Sequence, residues 1–282
     1  VLVGLAAASA QTSGPGRVPR TWDDREIATL ELPLATRAAS PKHVPASYYY
    51  RIPVRPIYKQ YPVYAPDHEP PGYMERLKQI QPEIIWDDQG HAPPLQTEAD
   101  WIAAGEQVFD AQIGPSEGFG IVLDDVRRRD WYQKGRVPVT RDGVLPFVAY
   151  VIREKGKVEL RALGCAMCHT RVMPDGTILK GAQGNFAAPV NASVGPRRPA
   201  PLASLIRSGL WAVPWLDPDP LATLSPEQID QINEATPPGV LARHRSSPVY
   251  PVHIPDLIGV KDRRYLDATG LQRHRSPADL MR

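Results

Sequence analysis

The stretch Leu163-Gly164-Cys165-Ala166-Met167-Cys168-His169-Thr170 decides how the rest of the chain is read. Both cysteines of the protein lie in it, three positions apart and followed at once by a histidine, so all the thiol chemistry is concentrated in one C-x-x-C-H motif. The spacing has a mechanical reason. Two thiols so placed add to the two vinyl groups on one edge of a porphyrin, and the adjacent imidazole reaches the iron from one face. One short turn then supplies two covalent bonds and one coordination bond. The other ring nitrogen of His169 is left to donate to a carbonyl that sets the ring's orientation. The expected cofactor is one haem c, held by Cys165, Cys168 and His169.

Three other uses of the motif compete. A zinc site needs four ligands and would have to recruit two scattered histidines or carboxylates, because there is no second cysteine pair. A thioredoxin-like dithiol has a β-prone run before Cys165 in its favour, but no alternating strand and helix pattern follows the motif. A plain local disulfide is the third.

Working outward, Phe147 to Ile152 and Lys157 to Leu163 are β-prone runs joined by Glu154-Lys155-Gly156, which predicts a hairpin leading into the cysteines. Pro174-Asp175-Gly176 predicts a turn just after them. Upstream, Thr97 is an N-cap with Asp100 in the first turn, and Trp101, Ile102, Gly105, Val108 and Phe109 fall on one face of the helix that follows. Downstream, Leu202, Leu205, Ile206 and Leu210 have helical spacing within Pro201 to Trp211. Ser225-Pro226-Glu227-Gln228 is a capping box for another short helix, stopped by Pro237-Pro238-Gly239. The pattern predicts a mainly α fold with extensive irregular structure, a haem domain carrying a small β-hairpin insertion.

The chain has 282 residues, 42% of them hydrophobic, enough for a buried core. A net charge of +2 creates no field that would select nucleic acid, and partners must be argued from sites. The 32 prolines limit regular elements. Residues 11 to 95 hold many of them beside tyrosines such as Tyr48, Tyr49, Tyr50, Tyr58, Tyr61 and Tyr64, and show no sustained period. An extended arm is expected there, either wrapped on a neighbouring surface or loose. Residues 1–10 end in Ala8-Ser9-Ala10 after an apolar run too short to span a bilayer, like the remnant of a secretory signal. Export to the periplasm or beyond is therefore expected, with no membrane span in the mature chain. At the other end Ser276-Pro277 opens a helix just before Arg282, so the haem domain, residues 96–282, reads as incomplete.

The residues now resemble a known group. Trp101-Ile-Ala-Ala-Gly-Glu-Gln-Val-Phe109 is similar to the first helix of bacterial cytochrome c domains, and the C-x-x-C-H turn to their attachment turn. The tail from Ile254 to Gly270 resembles the segment after a haem in dihaem peroxidase-like cytochromes. The resemblance implies that Trp101 and Phe109 lie near the ring. It departs from the simple pattern in the long separation of Phe109 from Cys165, which would suit a multi-haem enzyme with a second site past Arg282.

A second strong protein ligand makes a haem iron low-spin and suited to electron transfer, whereas an open position admits peroxide or oxygen. His253, in Val249-Tyr-Pro-Val-His253-Ile-Pro255, is the preferred candidate. His244 sits among basic and polar neighbours, His274 and Met281 lie near the end, His43, His68 and His91 lie in the arm, and Met173 is too close to His169 to cross the ring edge. Arg161 and Arg171 flank the turn as candidate propionate partners, with Lys180 beyond. The expected function is electron transfer to a redox partner protein. The alternatives are part of a multi-haem peroxidase or oxygenase-like oxidoreductase, and a secreted dithiol oxidoreductase.

Overall fold

The computed structural model describes residues 55–186, 225, 227–228, 231, 235, 237–241, 252–266 and 274. Residues 1–54, the expected helix at 201–211, and His43, His244 and Met281 lie outside the described residues.

The centre of the fold is the hairpin of β5 (Ala149–Glu154) and β6 (Lys157–Ala162), closed by a tight turn in which Gly156 has φ +89°, a left-handed conformation natural to glycine. The alternation of strand side chains divides it cleanly. Tyr150, Ile152, Leu160 and Ala162 point into the core, while Arg153, Glu159 and Arg161 lie on the other face. β2 (Gln60–Tyr61) pairs with β5 and β4 (Gly114–Pro115) with β6, completing a four-stranded antiparallel sheet ordered β2-β5-β6-β4. Two-stranded antiparallel pairs join β1 (Ile57–Tyr58) to β3 (Ile84–Trp86), β7 (Thr170–Val172) to β8 (Ile178–Lys180), and β9 (Val240–Leu241) to β10 (Val252–His253).

The helices are α1 (Tyr73–Gln79), α2 (Glu98–Asp110), α3 (Arg129–Lys134) and α4 (Cys165–His169). α1 drives Met74 and Leu77 onto the sheet, and α3 drives Trp131. Trp131, Tyr150, Phe147, Leu77, Ile121 and Leu145 are wholly buried in one cluster, each aliphatic or aromatic group contributing about 1.5–3 kcal/mol. Phe147 stacks on Phe186 at 4.8 Å, tying the hairpin to the chain beyond β8.

This architecture corrects the mainly α expectation: strands are about as common as helices, and the fold is mixed α/β. The reason is physical. The run Phe147-Val148-Ala149-Tyr150-Val151-Ile152 is buried on both faces, so the hairpin is the core on which short helices pack, where a small insertion was expected. Among the described residues the helices are also short, the longest having 13 residues. The expected arm, from residue 55 on, is built into this core: β2 extends the sheet, and Val63 and Leu77 are fully buried.

Candidate functional site

The C-x-x-C-H motif folds as α4, one helical turn set directly after β6. Gly164 is its N-cap and supplies no capping side chain. Its value is steric, because a Cβ at this position would sit 2.1 Å from the Ala111 carbonyl oxygen at the C-terminus of α2. Leu163, just before it, has φ +66°, a conformation that a branched side chain adopts at a cost and that is concentrated at functional sites. It packs against Gly114, where a Cβ would meet that of Leu163 at 2.8 Å.

The far end of the turn is held by the segment after β8. Gly181 N–H donates to the His169 carbonyl at 2.7 Å and Gly184 N–H to the Cys168 carbonyl at 2.8 Å, satisfying the orphan carbonyls of a helix terminus. Asn185 then exchanges two hydrogen bonds with the Val172 backbone at 3.0 and 2.8 Å. A third layer closes behind: Leu257 N–H donates to Gly181 O, while both Ile254 N–H and the Gln183 amide donate to Gly239 O. The turn is therefore clamped between α2 on one side and residues 181–186 and 254–257 on the other.

Cys165 is exposed and Cys168 half-buried, both as free thiols. Burial, and then the neighbouring Cys165, push the Cys168 thiol above its ordinary value. His169 is half-buried, and burial lowers its imidazole pKa against the opposing pull of the Pro255 backbone. Its Nδ1 is buried, and no acceptor meets hydrogen-bond geometry there. The nearby Pro255 carbonyl is placed to receive that N–H after a small adjustment, which would fix the ring with Nε2 free.

α2 begins as expected. Thr97 accepts from Asp100 N–H at 3.2 Å and Asp100 accepts from Thr97 N–H at 2.9 Å, a reciprocal capping box. Its apolar face, however, is not buried: Ala104 is covered, but Trp101 is 39% exposed, Val108 43% and Ile102 65%, with Phe109 half-buried. Leu163 beside the turn is 50% exposed. Lys180 of β8 bridges to Glu106 and Asp110 of α2 at 3.1 and 2.6 Å.

Of the remaining expected site residues, Arg171 is exposed and donates to the Gln183 carbonyl at 3.4 Å. Arg161 is held on the outer face of the sheet by the Ile113 carbonyl and Glu159. Met173 lies in the β7–β8 turn, whose Pro174-Asp175-Gly176 sequence was read as such and where Asp175 accepts from Thr177 N–H at 3.0 Å. His253 closes β10, two residues before Pro255. His274 is 8% exposed; its Nδ1 lies 2.8 Å from the Arg263 carbonyl and its Nε2 is buried without a partner. His91 is paired with Asp87 at 2.9 Å, and His68 packs on Gly143. Ser225 and Gln228 exchange the two bonds of the expected capping box.

Residues that sequence reading missed are Gln183, Gly184, Asn185 and Pro255. Only Gly184-Asn185 carried any signal, as a small polar pair after a strand. No family model, curated protein or solved structure matches the chain. Among the described residues no group of three or more His, Cys, Asp or Glu is arranged to hold a metal ion, which leaves a zinc centre at the cysteines without further donors. Among them too, no helix is long and apolar enough to cross a membrane.

Proposed function

We propose that this chain carries one haem c, linked at Cys165 and Cys168 and ligated by His169, and that it transfers single electrons to a redox partner protein outside the cytoplasm, in the periplasm or beyond. The observation that carries this reading is a surface. Two thiols and an imidazole emerge from one turn packed on the C-terminal end of α2, and large apolar groups stay exposed on that helix, at Trp101 and Val108, and next to the turn, at Leu163. A porphyrin is flat, apolar over most of its area and linked at one edge, so it answers all of these features.

When bound, haem supplies a one-electron couple whose potential follows from its ligands and burial. The chain's own part is positional. His169, beside the Pro255 carbonyl, would present Nε2 to the iron, and Trp101 and Phe109 would cover apolar ring surface. Beside His253, the candidate from the sequence, His274 would suit a further ligand to the iron by its burial and hydrogen bonding. An imidazole fixed at Nδ1 by a carbonyl, with its Nε2 buried and unpartnered, has the arrangement of a ligating histidine. The dithiol alternative fares worse, because it leaves the exposed apolar groups of α2 and Leu163 without a role.

The test is expression with a cytochrome c maturation system, followed by mass spectrometry and acid-acetone extraction. Covalent haem that survives extraction, and is lost in Cys165→Ser plus Cys168→Ser, supports the reading; an unmodified polypeptide ends it. His274→Ala is expected to turn a low-spin ferric spectrum high-spin, and His253→Ala to leave it unchanged. A high-spin wild type that reacts rapidly with peroxide would favour the multi-haem peroxidase-like alternative.

A further inference from the structure

On the outer face of the central sheet, away from the core, β1 and the chain after α2 enclose a cavity of about 290 Å³. Its polar lining consists of Arg55, Arg153, Arg161, Gln60, Gln112 and the Tyr58 ring. The charges are unbalanced. Glu159 serves Arg161 at 3.4 Å, Arg153 at 3.8 Å and Lys157 at 3.8 Å, Glu117 adds a more distant pull on Arg161, and Arg55 adds a further cation at the rim. Burial lowers the Arg161 pKa, and repulsion from Arg153 and Arg55 lowers it further. The Tyr58 ring lies 5.7 Å beneath the Arg153 guanidinium and limits its movement.

Gln60 adds a donor that is independent of charge: its amide lines the cavity and donates one N–H to the Gln112 carbonyl at 3.5 Å, leaving the other N–H for a guest.

We propose that this cavity binds a small dicarboxylate. Guanidinium forks and an amide N–H are all donors, so the guest must be rich in acceptors, and the planar fork of arginine matches a carboxylate in two parallel hydrogen bonds. Two carboxylates offset the surplus of cations. The volume suits a four-carbon diacid and its waters, and is far too small for a porphyrin. A haem propionate is not the guest, because the thioether links take the vinyl edge of the ring and the propionates leave the opposite edge, whereas Gln112 abuts Gly164 at the attachment turn itself. The site does not depend on the haem reading.

Isothermal titration calorimetry of succinate into the purified full chain at low ionic strength tests it, with succinamide as the neutral isostere. Saturable binding of succinate and none of succinamide is expected. Arg153→Gln should weaken binding at least tenfold. Its side chain is half exposed, so the variant retains the packing of the sheet, which a thermal melt verifies. Arg129→Gln, an exposed arginine outside the cavity, should leave it unchanged. No heat from succinate, equal binding of succinamide, or an undiminished affinity in Arg153→Gln overturns the proposal. Haem content is assayed separately by the pyridine haemochrome, so loss of the haem reading and loss of this one are distinguishable.

Discussion

Gly164 is the residue whose side chain the attachment turn can least accept. A methyl group there would lie 2.1 Å from the Ala111 carbonyl oxygen, a backbone atom that cannot swing aside. Gly164→Ala is therefore expected to cost about 1–3 kcal/mol, the usual penalty for overpacking, and to lower the yield of covalently loaded protein. Gly156 is the control: open space surrounds it, and alanine there meets only the strain of φ +89°, about 1 kcal/mol. Chemical denaturation of both variants, compared at equal slope, checks the difference. At this scale the motif itself was legible, because Cys165, Cys168 and His169 are neighbours in sequence and their spacing carries the chemistry. Pro255 was not. Its contribution is a backbone carbonyl brought to His169 by Leu257 bonding to Gly181, and a carbonyl leaves no mark in residue identity.

At the scale of elements, α2 depends on the reciprocal cap between Thr97 and Asp100. Thr97→Ala should cost about 1 kcal/mol, read as a shift in the urea midpoint with unchanged slope. The Thr97 and Gln96 backbone N–H groups hold the Asp100 carboxyl below its ordinary 3.8. A depressed value stabilises the fold fully above the ordinary pKa, and that contribution fades as pH falls through the lower folded value. The stability deficit of an Asp100→Ala variant should accordingly shrink on acidification below about pH 4. This helix and the β5–β6 hairpin were both legible, the first from its cap and the second from two β-prone runs around Lys155-Gly156. α1 was not legible. Its seven residues start from Gly72 in a left-handed conformation without a side-chain cap, and only Met74 and Leu77 are buried, with Tyr73 packed beside them, a pattern too brief to register among prolines. The mixed fold escaped notice for a related reason: short paired strands such as β1 with β3 are defined by partners distant in sequence, and no local period announces them.

For the whole molecule, the open question is what covers the apolar face of α2. A helix normally turns such a face inward, yet Trp101, Ile102 and Val108 stand open, as does Leu163 next to the cysteines. If a porphyrin is the missing layer, the fold and the cofactor share one thermodynamic balance, and a group bound only by the native state raises its stability. The Cys165→Ser plus Cys168→Ser protein, made beside the wild type under haem-loading conditions, should melt lower. Each kcal/mol lost corresponds to about 2–4 °C in a domain of this size, so a deficit of several degrees is expected. The same variant should bind a hydrophobic dye that loaded wild type does not, because the patch is bare in one and covered in the other. Val108→Glu in the unloaded protein should remove part of that dye signal with little change in melting, since a half-exposed valine contributes little to the core. Equal melting and equal dye binding in loaded and unloaded protein would mean that the patch is not where the ring lies, whatever is attached to the cysteines.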